Sequence, residues 1–346
     1  MMKFSYKKNV REPFFLLCLV AALTMGACTA YTIRMQTVVH LGKPQVAQNF
    51  RSIEDEKKYW KEQMEALGPE QAYTQFKARY AEDNINDAHA HAHIFGEILF
   101  EKEGLKGATV CDDTFRYGCF HSFFSRAIIT YGLLVVKDLH QVCVDKNNFV
   151  FCPHGLGHGL LWYLGRDHLV DALDQCAKLS SIKQDVDSCT VGAFMEYNFS
   201  VIDDPSLATF RTPENGNLQQ PCDSVPAQYQ KMCYFEQTRW WDHLFEYDPE
   251  KIGTLCGDVK DDSLRRTCFF GFGQKVVGPH NFDTQWAISE CERMPNKEAA
   301  VLCRDGAAWA FSILPAPNIR DTYPRMCEGL TPDEKSHCLD VSRYSK

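Results

Sequence analysis

Fourteen of the sixteen cysteines in this chain fall into seven successive pairs: Cys111 with Cys119, Cys143 with Cys152, Cys176 with Cys189, Cys222 with Cys233, Cys256 with Cys268, Cys291 with Cys303 and Cys327 with Cys338. The second members follow one another at steps of 33, 37, 44, 35, 35 and 35 residues. A fixed period of roughly 20 to 50 residues is the sequence mark of stacked repeats. Two cysteines separated by two residues, the common zinc signature, occur nowhere, so disulfides are expected. Nearest-neighbour pairing would close short loops, each worth on the order of 3 kcal/mol when unstrained. Such bonds persist in an oxidising compartment.

The period and the intervening residues predict an all-α fold, an αα-hairpin repeat array of about seven disulfide-stapled units that either stays an open solenoid or closes into an αα-toroid. Leu169, Ala172, Leu173, Cys176 and Leu179 fall on one helical face, and Thr331-Pro332-Asp333-Glu334 is a capping box leading into Cys338. The reading is of an outer helix ending at the first cysteine, then a second helix carrying the other cysteine in its early turns. Glycine stands three residues after the second cysteine at Gly155, Gly192, Gly271 and Gly306. It is expected there because stapled helices approach closely.

Ahead of the array, Ser52 to Leu67 is helix-prone and stopped by Gly68-Pro69. A further helix is expected from Asp87 to Glu103, capped by Asn86 or Asp87. The domain plan is therefore a cytoplasmic tail and signal anchor over 1–34, a linker over 35–50, and one extracytoplasmic domain over 51–346, with N-terminal helices to 104 and paired repeats from 105. Phe14 to Ile33 carries no charge and follows Lys3, Lys7, Lys8 and Arg11. That pattern predicts one transmembrane helix with the remainder exported. A lipoprotein signal cleaved before Cys28 is the competing reading of Met25-Gly26-Ala27-Cys28. The partner expected of this segment is the membrane. The net charge of −8, with a cationic N-terminus, leaves an acidic body that excludes a nucleic-acid footprint.

At the level of architecture, residues 105 to 346 resemble disulfide-stapled αα-repeat proteins of the secreted Sel1-like type, which implies one disulfide per hairpin. The cysteine spacing here is wider, and no functional residue is carried over. The His-Gly-rich texture also resembles exported cysteine-rich bacterial proteins, which supplies no mechanism.

Aligning the repeats on the second cysteine locates candidate chemistry. Two residues on stand His121, His154, Val191, Phe235, Phe270 and Asp305; six on stand Ser125, His158, Met195, Arg239, Gln274 and Trp309. In Cys152-Pro153-His154-Gly155-Leu156-Gly157-His158-Gly159 the two histidines share a helical face and could chelate a divalent metal, zinc or iron. His89, His93 and Glu97 form a similar stripe, without the glutamate of a zincin motif. Neighbouring repeats lie about 10 Å apart, so His89, His93, His121, His154, His158 and Glu196 could line one side of a single concave groove or pore. The candidate metal ligands are His89, His93, His154 and His158, with His121, Arg126 and Arg239 as ligand-binding groups and Glu97 or Glu196 as general base. Trp240 and Trp241 read as core, Asn198-Phe199-Ser200 as a formal glycosylation triplet, and the long step after Cys189 as an inserted loop. Cys-His protease chemistry is disfavoured because every cysteine of the ladder has a partner. Three functions follow: a metal- or polar-ligand-binding groove, a metal-assisted envelope hydrolase, and a non-catalytic scaffold that binds envelope proteins.

Overall fold

The computed structural model describes residues 50–341 apart from 147–150, 201–208, 279, 281 and 315–316. The expected anchor at Phe14 to Ile33, Cys18, Cys28 and nearly all of the linker lie outside the described residues. From Phe50 onward the chain forms one compact unit whose described residues are mostly helical, with a two-residue antiparallel β-ribbon, Phe199–Ser200 on Thr209–Phe210.

The first helices begin and end where short-range chemistry dictates. Helix α1 (Ile53–Leu67) starts at Ser52, whose side chain accepts from the Asp55 amide, and stops at Gly68 with φ 81°. Pro69 then opens α2 (Pro69–Arg79), where its missing N–H costs nothing. Helix α3 (Ile85–Glu103) is capped by Asn84, slightly earlier than Asn86 or Asp87, because the Asn84 side chain reaches the Asn86 amide. Trp60, Phe76 and Phe95 from these three helices pack ring against ring, centroids 4.8 to 5.8 Å apart.

Beyond them two kinds of helix follow. One kind carries the second cysteine of a pair: α4 (Gly118–Tyr131), α6 (Cys152–Leu164), α8 (Lys183–Asn198), α9 (Ala227–Leu244), α11 (Asp262–Val276), α13 (Lys297–Ser312) and, after the short α14 (Pro317–Arg320), α15 (Pro332–Val341). The other kind carries or follows the outer half of the hairpin: α5 (Val136–Asp145), α7 (Leu169–Ala177), α10 (Pro249–Gly257) and α12 (Thr284–Glu292), each ending at or near the first cysteine. All seven expected disulfides are formed between nearest neighbours. Cys111 bonds Cys119, Cys143 bonds Cys152, Cys176 bonds Cys189 and Cys222 bonds Cys233. Cys256 bonds Cys268, Cys291 bonds Cys303 and Cys327 bonds Cys338. Their Cα atoms lie 5.3 to 5.8 Å apart, the ordinary span of such a bond. This many bridges belongs to an oxidising environment.

Helix α3 packs on α4, and the helices carrying the second cysteine pack in succession, α4 on α6, α6 on α8, α9 on α11 and α11 on α13, with sparser seams between α8 and α9 and between α13 and α15. The glycines belong to these seams, which corrects the expectation that they serve the stapled pair. A Cβ at Gly192 would lie 2.0 Å from the His154 carbonyl oxygen, at Gly271 2.2 Å from that of Phe235, and at Gly306 1.9 Å from that of Phe270. A second set answers from the other side, since a Cβ at Gly96, Gly157 or Gly273 would lie 2.1, 1.9 or 1.8 Å from the carbonyl oxygen of Cys119, Cys189 or Cys303. Backbone meets backbone where no side chain fits, so the staple sets the hairpin and the glycines set the stacking.

The α8–α9 seam is sparse for a reason. Glu236 occupies the place three residues after Cys233 that glycine holds in its neighbours, and the step across this seam is the longest in the ladder. Inserted residues fill the gap: Arg211 is buried, donates from Nε to Asn198 Oδ1 at 2.8 Å, and lies 3.4 Å over the Trp240 ring. Asn198 is 1% exposed, so its amide serves Arg211 rather than a glycan. Trp240 and Trp241 are fully buried and donate from their indoles to Arg211 and Leu218 carbonyls. The apolar stretch Thr114–Asp145 is long enough to cross a membrane, but 61% of its most apolar window is buried within the fold, as in core helices.

Candidate functional site

Histidines from three successive helices of this stack meet at one place. His89 and His93 lie one turn apart on α3, and their Nε2 atoms are 3.1 Å apart. His121, from the first turns of α4, brings Nδ1 to 3.3 Å from His93 Nε2. The three ligand atoms all lie within 4.8 Å of one another. Bonds of about 2.0 to 2.1 Å to a tetrahedral zinc ion put ligand nitrogens about 3.3 Å apart, which the His89–His93 and His93–His121 separations match. His154 and His158 repeat the arrangement on α6, with Nε2 atoms 3.1 Å apart. The His121 ring stands between the two pairs, its centroid 5.1 and 5.2 Å from His89 and His93 and 5.3 and 5.4 Å from His154 and His158.

Their tautomers are set from behind. His89 Nδ1 donates to the Phe115 carbonyl at 2.7 Å, which leaves its Nε2 lone pair facing His93. His158 Nδ1 donates to Glu196 Oε2 at 2.9 Å, while the other Glu196 oxygen accepts from Ser200 at 2.6 Å. A carboxylate behind an imidazole is the usual outer partner of a metal-ligating histidine. His93 Nδ1 and His121 Nε2 are buried with no hydrogen-bond partner. These two atoms lie on the ring edges away from the convergence, so a cation held by His93 Nε2 and His121 Nδ1 would leave the ring protons on them.

Burial keeps these rings neutral. It is the largest cause, followed by the Arg116 charge, that pushes His89 down to about 3. Burial first and the neighbouring histidines next hold His93 and His121 well below the ordinary value, and burial then His158 does so for His154. Neutral imidazole is the form that binds a metal ion.

His89, His121 and His154 open onto a cavity of about 850 Å³. Arg116, Glu236 and Arg239 line it further along, and Phe235, Phe270 and Trp309 form an apolar wall with centroids 5.9 to 6.3 Å apart. Arg239 donates to Glu236 at 2.7 Å, and burial raises the Glu236 carboxyl above its usual range. Arg116 sits on three consecutive residues with positive φ, Phe115, Arg116 and Tyr117 at 52°, 54° and 63°, none of them a glycine. That backbone is costly for L-residues. It supplies the Phe115 carbonyl to His89 and places Arg116 in the cavity.

Of the residues named from sequence, His89, His93, His121, His154, His158 and Glu196 are brought together and Arg239 lines the same cavity. Glu97 is held instead by Lys57 at 2.8 Å and Arg126 at 2.7 Å. Arg126 binds Glu97 and lies over Trp162. His91 bonds Glu56 and stacks on Tyr80, 4.3 Å between centroids. Sequence reasoning missed Arg116, which carries no motif, and Glu236, whose signal was its occupation of a glycine position. Phe235, close in sequence to the core tryptophans Trp240 and Trp241, faces the cavity. The chain matches no protein-family model, no curated protein and no solved structure.

Proposed function

We propose that this is an exported, membrane-tethered αα-hairpin repeat protein whose succession of inner helices holds a transition metal, zinc or iron, on His89, His93 and His121, with His154 and His158 completing that centre or holding a second ion. The observation that supports the reading is the convergence of ring nitrogens of half-buried His89 and buried His93 and His121 within 4.8 Å of one another. Imidazole suits zinc and iron among the common metals. The regular contacts between successive second-cysteine helices support the repeat array. A closed toroid is favoured over an open solenoid because one cavity is lined by residues from His89 to His337, and another by both Tyr80–Ile85 and Asn318–Ile319. The tether rests on the charge-free run from Phe14 to Ile33 behind a cationic flank.

In a hydrolytic version of this reading, the carboxylate placed for acid-base work is Glu236, which faces the cavity; Glu196 orients His158, and Glu97 is committed to Lys57 and Arg126. The test is elemental analysis of the purified, disulfide-intact protein after stripping and reloading with zinc or ferrous iron. One or two ions per chain are expected, lost in a His93→Ala, His121→Ala variant and reduced in His154→Ala, His158→Ala. Failure of the native protein to take up stoichiometric metal would leave the interaction scaffold as the better reading.

A further inference from the structure

We propose that the cavity binds an amphipathic organic acid, its anionic head between Arg116 and Arg239 and its apolar body on the wall of Phe235, Phe270 and Trp309. The site adjoins the proposed metal centre, so a bound acid would lie against the histidines, but its recognition does not require the metal.

Charge distribution is the first argument. The chain as a whole is acidic at −8, yet of the seven formally charged side chains lining this cavity five are cationic and two anionic. Lys183, Lys231 and Arg266 stand at the exposed rim and Arg116 and Arg239 further in, so the cationic lining of an otherwise acidic protein favours anions there.

The second argument is the pairing of the arginines. Arg116 precedes α4 and Arg239 lies on α9, far apart in sequence, and both line this cavity and the adjoining one of about 580 Å³. Arg239 is matched by Glu236. Among the described residues Arg116 bonds Asn86 Oδ1 at 3.3 Å, a neutral amide, and the carboxylate acting on its charge is Glu236, which Arg239 already holds. Burial, and then the charge of Arg239, lowers Arg116 to about 10, so the two guanidinium groups sense one another. A carboxylate or phosphate between them supplies the missing countercharge with the bidentate geometry arginine favours.

The third argument is shape. About 850 Å³ is within the range of small-molecule sites, and such sites join an apolar wall to a few fixed polar groups. The three rings offer that wall, and the left-handed run from Phe115 to Tyr117 fixes the polar end.

The experiment is calorimetric titration of the full chain in lipid nanodiscs, metal-stripped and zinc-loaded, with 3-phenylpropanoate, phenyl phosphate and the neutral 3-phenylpropanol. At least one acid should bind one-to-one in both preparations, about tenfold or more tighter than the alcohol. The preferred acid identifies the head as carboxylate or phosphate. Arg116→Gln should weaken it about tenfold, whereas Glu236→Gln, which removes the competing carboxylate, should tighten it a few-fold. Because one substitution weakens and the other strengthens, loss of folding cannot imitate the result. Equal binding of the alcohol, no binding of either acid, or an unchanged affinity in Arg116→Gln would overturn the proposal. Acid binding by a protein that takes up no metal would refute the metal centre alone, and metal uptake without acid binding would refute this inference alone.

Discussion

Helices α6 and α11 place the residue two positions after their cysteines, Cys152 and Cys268, in the same way. His154 and Phe270 each turn a carbonyl onto the glycine of the next helix, 2.0 and 1.9 Å from where a Cβ would stand. Yet the side chain is an imidazole in one and a benzene ring in the other. His121 and His154 stand 5.3 Å apart along the early helices, and Phe235 and Phe270 stand 6.3 Å apart along the later ones. Because the glycines and cysteines carry the stacking, this row of side chains is released from packing duty. The early helices carry imidazoles there and the later ones an apolar wall.

If both halves share one packing plan, breaking it should cost the same in each. Gly157→Val and Gly273→Val are each expected to destabilise by ~3 kcal/mol or more, since both drive a branched side chain into a cysteine carbonyl of the next helix. Urea unfolding with the disulfides intact measures this, and a large effect in one half alone would mean that the halves are stacked differently.

A smaller effect separates the halves by pH. Unfolded histidines titrate near ~6.5, whereas burial holds His89 down to about 3 and His93, His121 and His154 well below their usual value. Their contribution is complete above ~6.5 and is lost as pH falls from there toward the folded values, because the unfolded chain then binds protons the folded chain does not. Asp305, in the late half, runs the other way: burial raises it to about 7. Its contribution is present below ~3.9 and lost as pH rises through about 7. In metal-stripped protein, Asp305→Asn should flatten only the alkaline limb of the unfolding midpoint and add ~1 kcal/mol or more at pH ~8. A change confined to the acid limb would show that Asp305 does not carry this limb.

The smallest change in stability should come from exchanging the chemistries. His121→Phe gives α4 the kind of residue that α11 carries and conserves volume approximately, so stability should move by only about 1 kcal/mol while metal uptake at the His89 and His93 pair is lost. Retained stoichiometric metal, measured by elemental analysis, would place the centre on His154 and His158 instead.

The staples were legible because each joins residues 8 to 13 apart in sequence, the shortest from Cys111 to Cys119 and the longest from Cys176 to Cys189. The helix boundaries were legible because Ser52, Gly68 and Pro69 act within one turn. The paired histidines were legible for the same reason, since i and i+4 share a face wherever a helix forms. The glycines were legible as close contacts but were assigned to the wrong neighbour: spacing from a cysteine does not say which helix will arrive. Glu97 fell on the expected stripe with His89 and His93, but Lys57 and Arg126 from other helices claimed it.

By itself the sequence determined local matters: which cysteines bridge, where helices start and stop, and which turns carry histidine. Tertiary structure alone decided that His121 would stand between two histidine pairs and that Arg116 would face the cavity with Arg239. The reason is physical. Contacts within a hairpin depend on a few torsion angles encoded nearby, whereas a cavity lined from α3 to α15 depends on small rotations accumulated over every intervening seam. The left-handed run at Phe115, Arg116 and Tyr117 contains no glycine or asparagine to announce it, and only the packed surroundings hold it in place.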